Sequence, residues 1–422
     1  GLGADQFPWL SAGQLAMFSG KHVAGLSTTT IAALDATSLA AFSGGQWASM
    51  TATQAAALTA TQIGTLTPLR VSQLSLIEMG GLSSSAAGAL SAPQLAALTT
   101  GQVSALSQNA VSGLSAAQIS ALSEDQLTAL TTSQIEGLSG AALAGLSPTT
   151  LATFTDPQFS ALSATAISGL NTGQIASLSS TRIGLLTPAA AGGLTGAQVA
   201  SLTTDQLAAL KPAQITALSA SGIKGLTAAQ LSQFSPEQLG ALGSTGLEAL
   251  TATAIAGLTL SQLSSLTTSQ MEYLSASAIS GLDADQIGGL ATTQLLALAR
   301  EAVSGLTATQ IGALSADQFT AFTSTMIGAL LPSTIAGLSE NQIEALTLTQ
   351  ISGLSAAQVG SISTSALAGL SPDEIAEMSA SQLAGLVRVQ LRALSNAQFT
   401  ALTPSQIASL SANQVSNLTS SE

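Results

Sequence analysis

Apolar residues recur along this chain on a strict eight-residue spacing. Stepping by eight from Leu2 gives Leu10, Phe18, Leu26, Leu34, Phe42, Met50 and so on to Leu418. All 53 positions carry Leu, Phe, Met or Ile, with no insertion or deletion. The next slot is Ser or Thr in 43 of the 53 octads, and Asp35, Asn171 and Asp283 add three more residues of the helix-capping type. Three positions beyond the hydroxyl stands Gln, in 31 of the 52 slots from Gln6 to Gln414. The slot after it, from Phe7 and Leu15 to Val415, is always apolar. The unit reads Leu–Ser/Thr–x–x–Gln–Ile–x–Ala/Gly, as in Leu114 to Ala121.

This pattern predicts one short helix per octad. Ser or Thr followed three residues later by Gln is a capping box, in which the hydroxyl takes the third-residue amide and the Gln side chain reaches back. The Leu before the cap and the Ile after the Gln are the two ends of a hydrophobic staple. Eight of the eleven prolines (Pro68, Pro148, Pro188, Pro212, Pro236, Pro332, Pro372 and Pro404) fall at the first helical position, where proline is tolerated. A continuous helix is excluded, because an eight-residue repeat over two turns winds its apolar stripe around the axis and those prolines would break it. A β-solenoid is excluded by apolar spacings of three and five and by the dominance of Ala, Gln and Leu. Helices this short are unstable alone, so stacking between octads must supply the stability.

A second, longer period lies over the first. Twelve octads lack Gln and carry Gly just before the next Leu: those ending in Gly25, Gly81, Gly113, Gly145, Gly169, Gly193, Gly225, Gly257, Gly281, Gly305, Gly337 and Gly369. Gly137, Gly289, Gly353 and Gly385 share the slot but keep Gln. Counted as twelve turns, the 344 residues from Gly25 to Gly369 give about 28.7 per turn. The expected fold is therefore all-α, a solenoid with about 3.5 octads per turn. The ten glycines from Gly113 to Gly369 form its candidate packing or assembly stripe, since small residues permit close backbone approach to the next turn or to a neighbouring rod. The cap exceptions Gly3, Lys211, Gly243, Ala291, Ala299, Leu331 and Val387 never change the register. Residues 1–422 thus read as one continuous array. With Gly1 in place of an initiator Met and no dedicated end caps, it is expected to be part of a longer repeat protein or a filament subunit.

Composition narrows the function. Only 7% of residues are charged, 46% are hydrophobic and mean hydropathy is positive, so the chain buries a core under a surface of Ser, Thr, Ala, Gly and Gln. So weakly charged a surface points to self-assembly. A net charge of −13 argues against nucleic acid and anionic membrane surfaces, and no apolar run is long enough to span a bilayer. There is no Cys, which fits a secreted bacterial protein and excludes thiolate metal sites.

Candidate chemistry is sparse. His22, the single histidine, sits in a Gln slot without a second His for a triad or metal. Glu124–Asp125, Asp373–Glu374 and Asp283/Asp285 lie at caps or in first turns, where acids favour the helix dipole; the EF-hand spacing for calcium is missing. Arg70, Arg182, Arg300, Arg388 and Arg392 are too scattered for a phosphate track. Trp9 and Trp47 are expected in the core. The sequon at Asn417 is discounted for a bacterial protein. No catalytic, cofactor or metal site is expected, and the chain reads as a non-enzyme.

The motif Leu194-Thr195-Gly196-Ala197-Gln198-Val199-Ala200-Ser201-Leu202 resembles octad tracts of large secreted or surface proteins of Gram-negative bacteria, of the haemagglutinin-like and adhesin-like kind. The resemblance covers the whole chain and implies an exported stalk or matrix segment. Leu402-Thr403-Pro404-Ser405-Gln406-Ile407 is also similar to the first helix of transcription activator-like effector repeats, but their longer repeat, base-reading loop and positive charge are absent. The expected function is an extracellular rod, filament or adhesin stalk whose partner is itself, with other surface or matrix components as further partners. The alternative is a repetitive scaffold binding ice, polysaccharide or another surface.

Overall fold

The computed structural model describes residues 6–416. A 3-10 turn at Phe7–Trp9 is followed by 51 α-helices of four to six residues, and no strand occurs among the described residues. Every helix starts directly after the capping slot, from Ala12–Ala16 and Gly20–Ala24 to Ala412–Val415. The eight prolines from Pro68 to Pro404 that follow a capping slot open their helices, while Pro93 and Pro157 occupy the second position. The octad Leu114–Ala121 shows why the helix starts where it does. Ser115 is extended (φ −82, ψ 164), its Oγ accepts from the Gln118 amide at 3.3 Å, and Gln118 Oε1 accepts from the Ser115 amide at 2.8 Å. The helix ends when the Leu122 amide donates to the Ile119 carbonyl, a tightened last turn; in the equivalent place Leu170 is extended (φ −65, ψ 140) and leads into the next cap.

By mutual contacts the chain divides into Gly1–Gly222 and Ile223–Glu422. In the first unit, Ala52–Ala56 stacks on Leu76–Gly81, and Pro188–Gly192 on Pro212–Ala217. In the second, Ala252–Ile255 stacks on Ala276–Gly281, and Ala356–Val359 on Ala380–Gly385. Each partner is the third helix onward, and side chains also bridge to backbone 28 and 31 residues earlier. Twenty-eight residues are three and a half octads, the pitch expected from the glycine schedule. A half-integral turn seats each helix over the junction between two helices of the turn before it.

Both apolar slots face inward. Ile135, Leu138, Phe154 and Phe159 in the first unit, and Ile279, Leu282 and Ile311 in the second, are at most 3% exposed. Each such side chain contributes about 1.5–3 kcal/mol on burial, which is what holds helices that would not form alone. Phe42 and Trp47 meet edge-on at 6.5 Å. Trp9 corrects the expectation: it is 82% exposed. It stands one place before the Leu slot, a position that later turns cover with the helix start 29 residues earlier, and the first described turn has no such neighbour.

Candidate functional site

The feature that recurs through the described residues is the Gln slot, whose side chain performs two tasks. In the octad of Gln134, Oε1 accepts from the Thr131 amide at 2.7 Å, closing the cap. Nε2 donates to the carbonyls of Val103 at 2.8 Å and Leu106 at 2.6 Å, 31 and 28 residues earlier. Gln310 repeats this in the second unit, with Ile279 at 2.7 Å and Leu282 at 2.6 Å. The amide enters the gap between two helices of the preceding turn, supplying a donor to the Leu carbonyl and a second one to the Val103 or Ile279 carbonyl, which already takes the amide of that Leu. Gln134, Gln174 and Gln310 are 1–2% exposed, a burial an amide tolerates only when its donors and acceptor are matched. Gln14, in the first turn described, keeps its cap and stands exposed.

Other occupants of the slot supply what they can. Thr334 Oγ1 donates to the Leu306 carbonyl at 2.7 Å, again 28 residues back. Arg182 Nη2 does the same to Phe154 at 2.6 Å, while its Nε pairs with Asp156 at 3.4 Å and the guanidinium lies 5.2 Å from the Phe159 ring centroid. His22 replaces only the capping half, its Nδ1 accepting from the Ser19 amide at 3.2 Å, and its ring meets Phe18 edge-on. Where the cap residue is Lys211, Ala291 or Val387, the Gln half persists at 2.7, 3.0 and 2.8 Å, so the register survives the missing hydroxyl.

The glycine stripe lies in the contact between turns of the same chain. A Cβ on Gly113 would strike the Ser84 backbone; on Gly145, the Ala116 side chain; on Gly169, Gly140; on Gly193, Ala164. In the second unit the same holds for Gly257 against Ala228, Gly281 against Ala252, Gly305 against Ala276, Gly337 against Ala308 and Gly369 against Glu340. Each partner is 29 residues earlier, at a helix start. Gly225 follows the helix Ala220–Ile223 and is partly exposed. No described glycine has positive φ. These glycines therefore answer to space and not to backbone conformation. Gly353 and Gly385, which keep their Gln, press on Ser324 and Ala356 in the same way, so close approach does not depend on the loss of Gln.

The remaining candidates stay dispersed. Asp283 Oδ1 caps its helix by accepting from the Gln286 amide at 2.7 Å, and Asp35 does so from Ser38 at 2.7 Å, hydrogen bonds that hold the Asp35 carboxyl below its usual range. Among the described residues no three His, Cys, Asp or Glu gather into a possible metal site, and no helix is long and apolar enough to cross a membrane. An open recess of about 790 Å³ at the first turn is lined by Phe7, Gln14, Met17, Phe18, Lys21 and His22, with Met17 83% exposed. The sequon at Asn417 lies outside the described residues.

No family model matches the chain, and no curated protein matches it. Among solved structures, it is similar to a chain of a homology model of the full-length AP-3 complex in an intermediate open conformation. That likeness has 11% identity and a TM-score of 0.24, covering 99% of this chain and 82% of the other, and at that score it carries no argument.

Proposed function

We propose that this chain is a non-enzymatic structural element, an exported rod, filament segment or adhesin stalk built by repetition of one octad. The supporting observation is the use made of its polar groups. The buried amides of the Gln slot are engaged in capping and in joining successive turns, as at Gln134 and Gln310. The hydroxyls of the capping slot are engaged at helix starts, as at Ser115 and Thr347. A sequence so committed to turn-on-turn adhesion specifies extension, and its low charge favours association with copies of itself. Secretion and a bacterial surface enter through the resemblance to haemagglutinin-like and adhesin-like octad tracts.

Electron microscopy and sedimentation of the purified chain over a wide concentration range test the reading. Fibres or concentration-dependent oligomers support a filament. Separate monomers restrict it to a stalk. Monomers that bind a glycan or an ice face would replace it with the scaffold reading.

A further inference from the structure

Two acids, Glu78 and Glu374, stand buried in the Gln slot, and of these Glu78 alone leaves a carboxyl oxygen buried without a partner. Glu78 stands in the Gln slot of Leu76–Gly81 and is 1% exposed. Its Oε2 performs the capping half, accepting from the Ser75 amide at 2.6 Å. Its Oε1 is buried with no hydrogen-bond partner. In the register kept by Gln62, Gln94 and Gln134, the second atom of the slot meets the carbonyls 28 and 31 residues earlier, which here are those of Met50 and Trp47. An amide nitrogen donates there. A carboxylate oxygen cannot donate to them, because it is itself only an acceptor.

We propose that Glu78 is a proton-controlled clamp between turns: as a neutral carboxylic acid it donates from Oε1 to the backbone carbonyls of the Trp47–Met50 segment, and loss of that proton loosens the joint. The Trp47 indole Nε1, a buried donor in that segment, makes no hydrogen bond to Glu78 or to any other group, so it does not compensate a charge on Oε1. The helices Ala52–Ala56 and Thr100–Ala105, which pack against Leu76–Gly81, contain no Asp, Glu, His, Lys or Arg. The same is true of Gly44–Trp47, Ser84–Gly88 and the connecting residues 48–51. The nearest charge along the chain, Arg70, is engaged by Gln73 at 3.2 Å. Burial, the larger influence, pushes the Glu78 carboxyl above its ordinary range against the hydrogen bonds from Ser75 that pull it down.

The sign of the linkage follows. The open joint releases its proton at the ordinary Glu pKa, whereas the closed joint holds it to higher pH. The joint is therefore tightest below the ordinary pKa and weakens as pH rises from there to the closed-state pKa. Amide hydrogen exchange of the full chain reads this directly, at residues 47–51 and 76–82 and corrected for the intrinsic pH dependence of exchange. The opening constant of the parent protein is expected to rise up to roughly tenfold per pH unit across that window. Glu78→Gln is expected to abolish the rise, and Gln134→Glu to create one at residues 103–106 and 132–137. An infrared band of protonated carboxylic acid, persisting in the parent above the ordinary carboxyl range and lost in Glu78→Gln, is the matching spectroscopic signature. A flat profile in the parent, or a Glu78→Gln profile that still rises, would overturn the proposal.

Discussion

At the scale of single residues, the Gln slot carries a signal that a capping box alone does not explain. A capping box accepts Glu as readily as Gln, yet the slots from Gln6 to Gln414 contain 31 Gln and only Glu78 and Glu374 as acids. The excess reports the second task, donation to carbonyls of the previous turn, which needs an NH2 group. Replacing Gln134 by Ala strands the Leu106 carbonyl, takes one of two donors from that of Val103, and should cost about 2–4 kcal/mol, read as faster local amide exchange. Gln14→Ala removes only a solvent-exposed cap and should cost about 0.5–1 kcal/mol. The glycines divide in the same manner. Gly169→Ala drives a methyl into Gly140 and should lower the melting temperature clearly, while Gly240→Ala meets nothing within 4 Å and should stabilise by about 0.4–1 kcal/mol. Equal effects at the two glycines would contradict a spatial role for the stripe.

At the scale of the element, each helix is too short to exist alone. Its start is written locally and its persistence is not. Caps decide where it begins: the hydroxyl, the Gln and the proline of Pro404–Ser409 all mark the same residue. Octads lacking one mark keep the boundary through the others, as Val387 does through Gln390. Val387→Thr restores the hydroxyl at a residue 47% exposed and should raise stability by about 0.5–1 kcal/mol in denaturant unfolding. No gain would mean that the Gln half alone saturates the cap.

At the scale of the molecule, turns are matched slot to slot over 28, 29 and 31 residues. Duplicating Ser115–Leu122 returns every slot to an equivalent partner. It should leave helical content by circular dichroism intact with a modest loss of stability, because only the glycine schedule shifts. Inserting four residues at the same place brings amides opposite caps in place of carbonyls and should melt the neighbouring turns. If both insertions were tolerated alike, slot-to-slot matching would not be what holds the turns.

Helix positions, their length and the repeat could be read from the chain itself, because caps, staples and prolines act within one octad and leave local marks. The pitch of about 3.5 octads was also legible, since the Gly113 to Gly369 schedule records where backbones must come close. What the tertiary structure alone decided is which groups meet across turns. Caps and staples have no reach beyond eight residues, so they could not say that Gln134 donates to Val103 and Leu106, that Gly169 faces Gly140 and not a neighbouring rod, or that Trp9 points outward while Trp47 is buried. Nor could they mark Glu78 as different from any other capping acid, because its missing donor is felt only against carbonyls that coiling brings to it from a turn away.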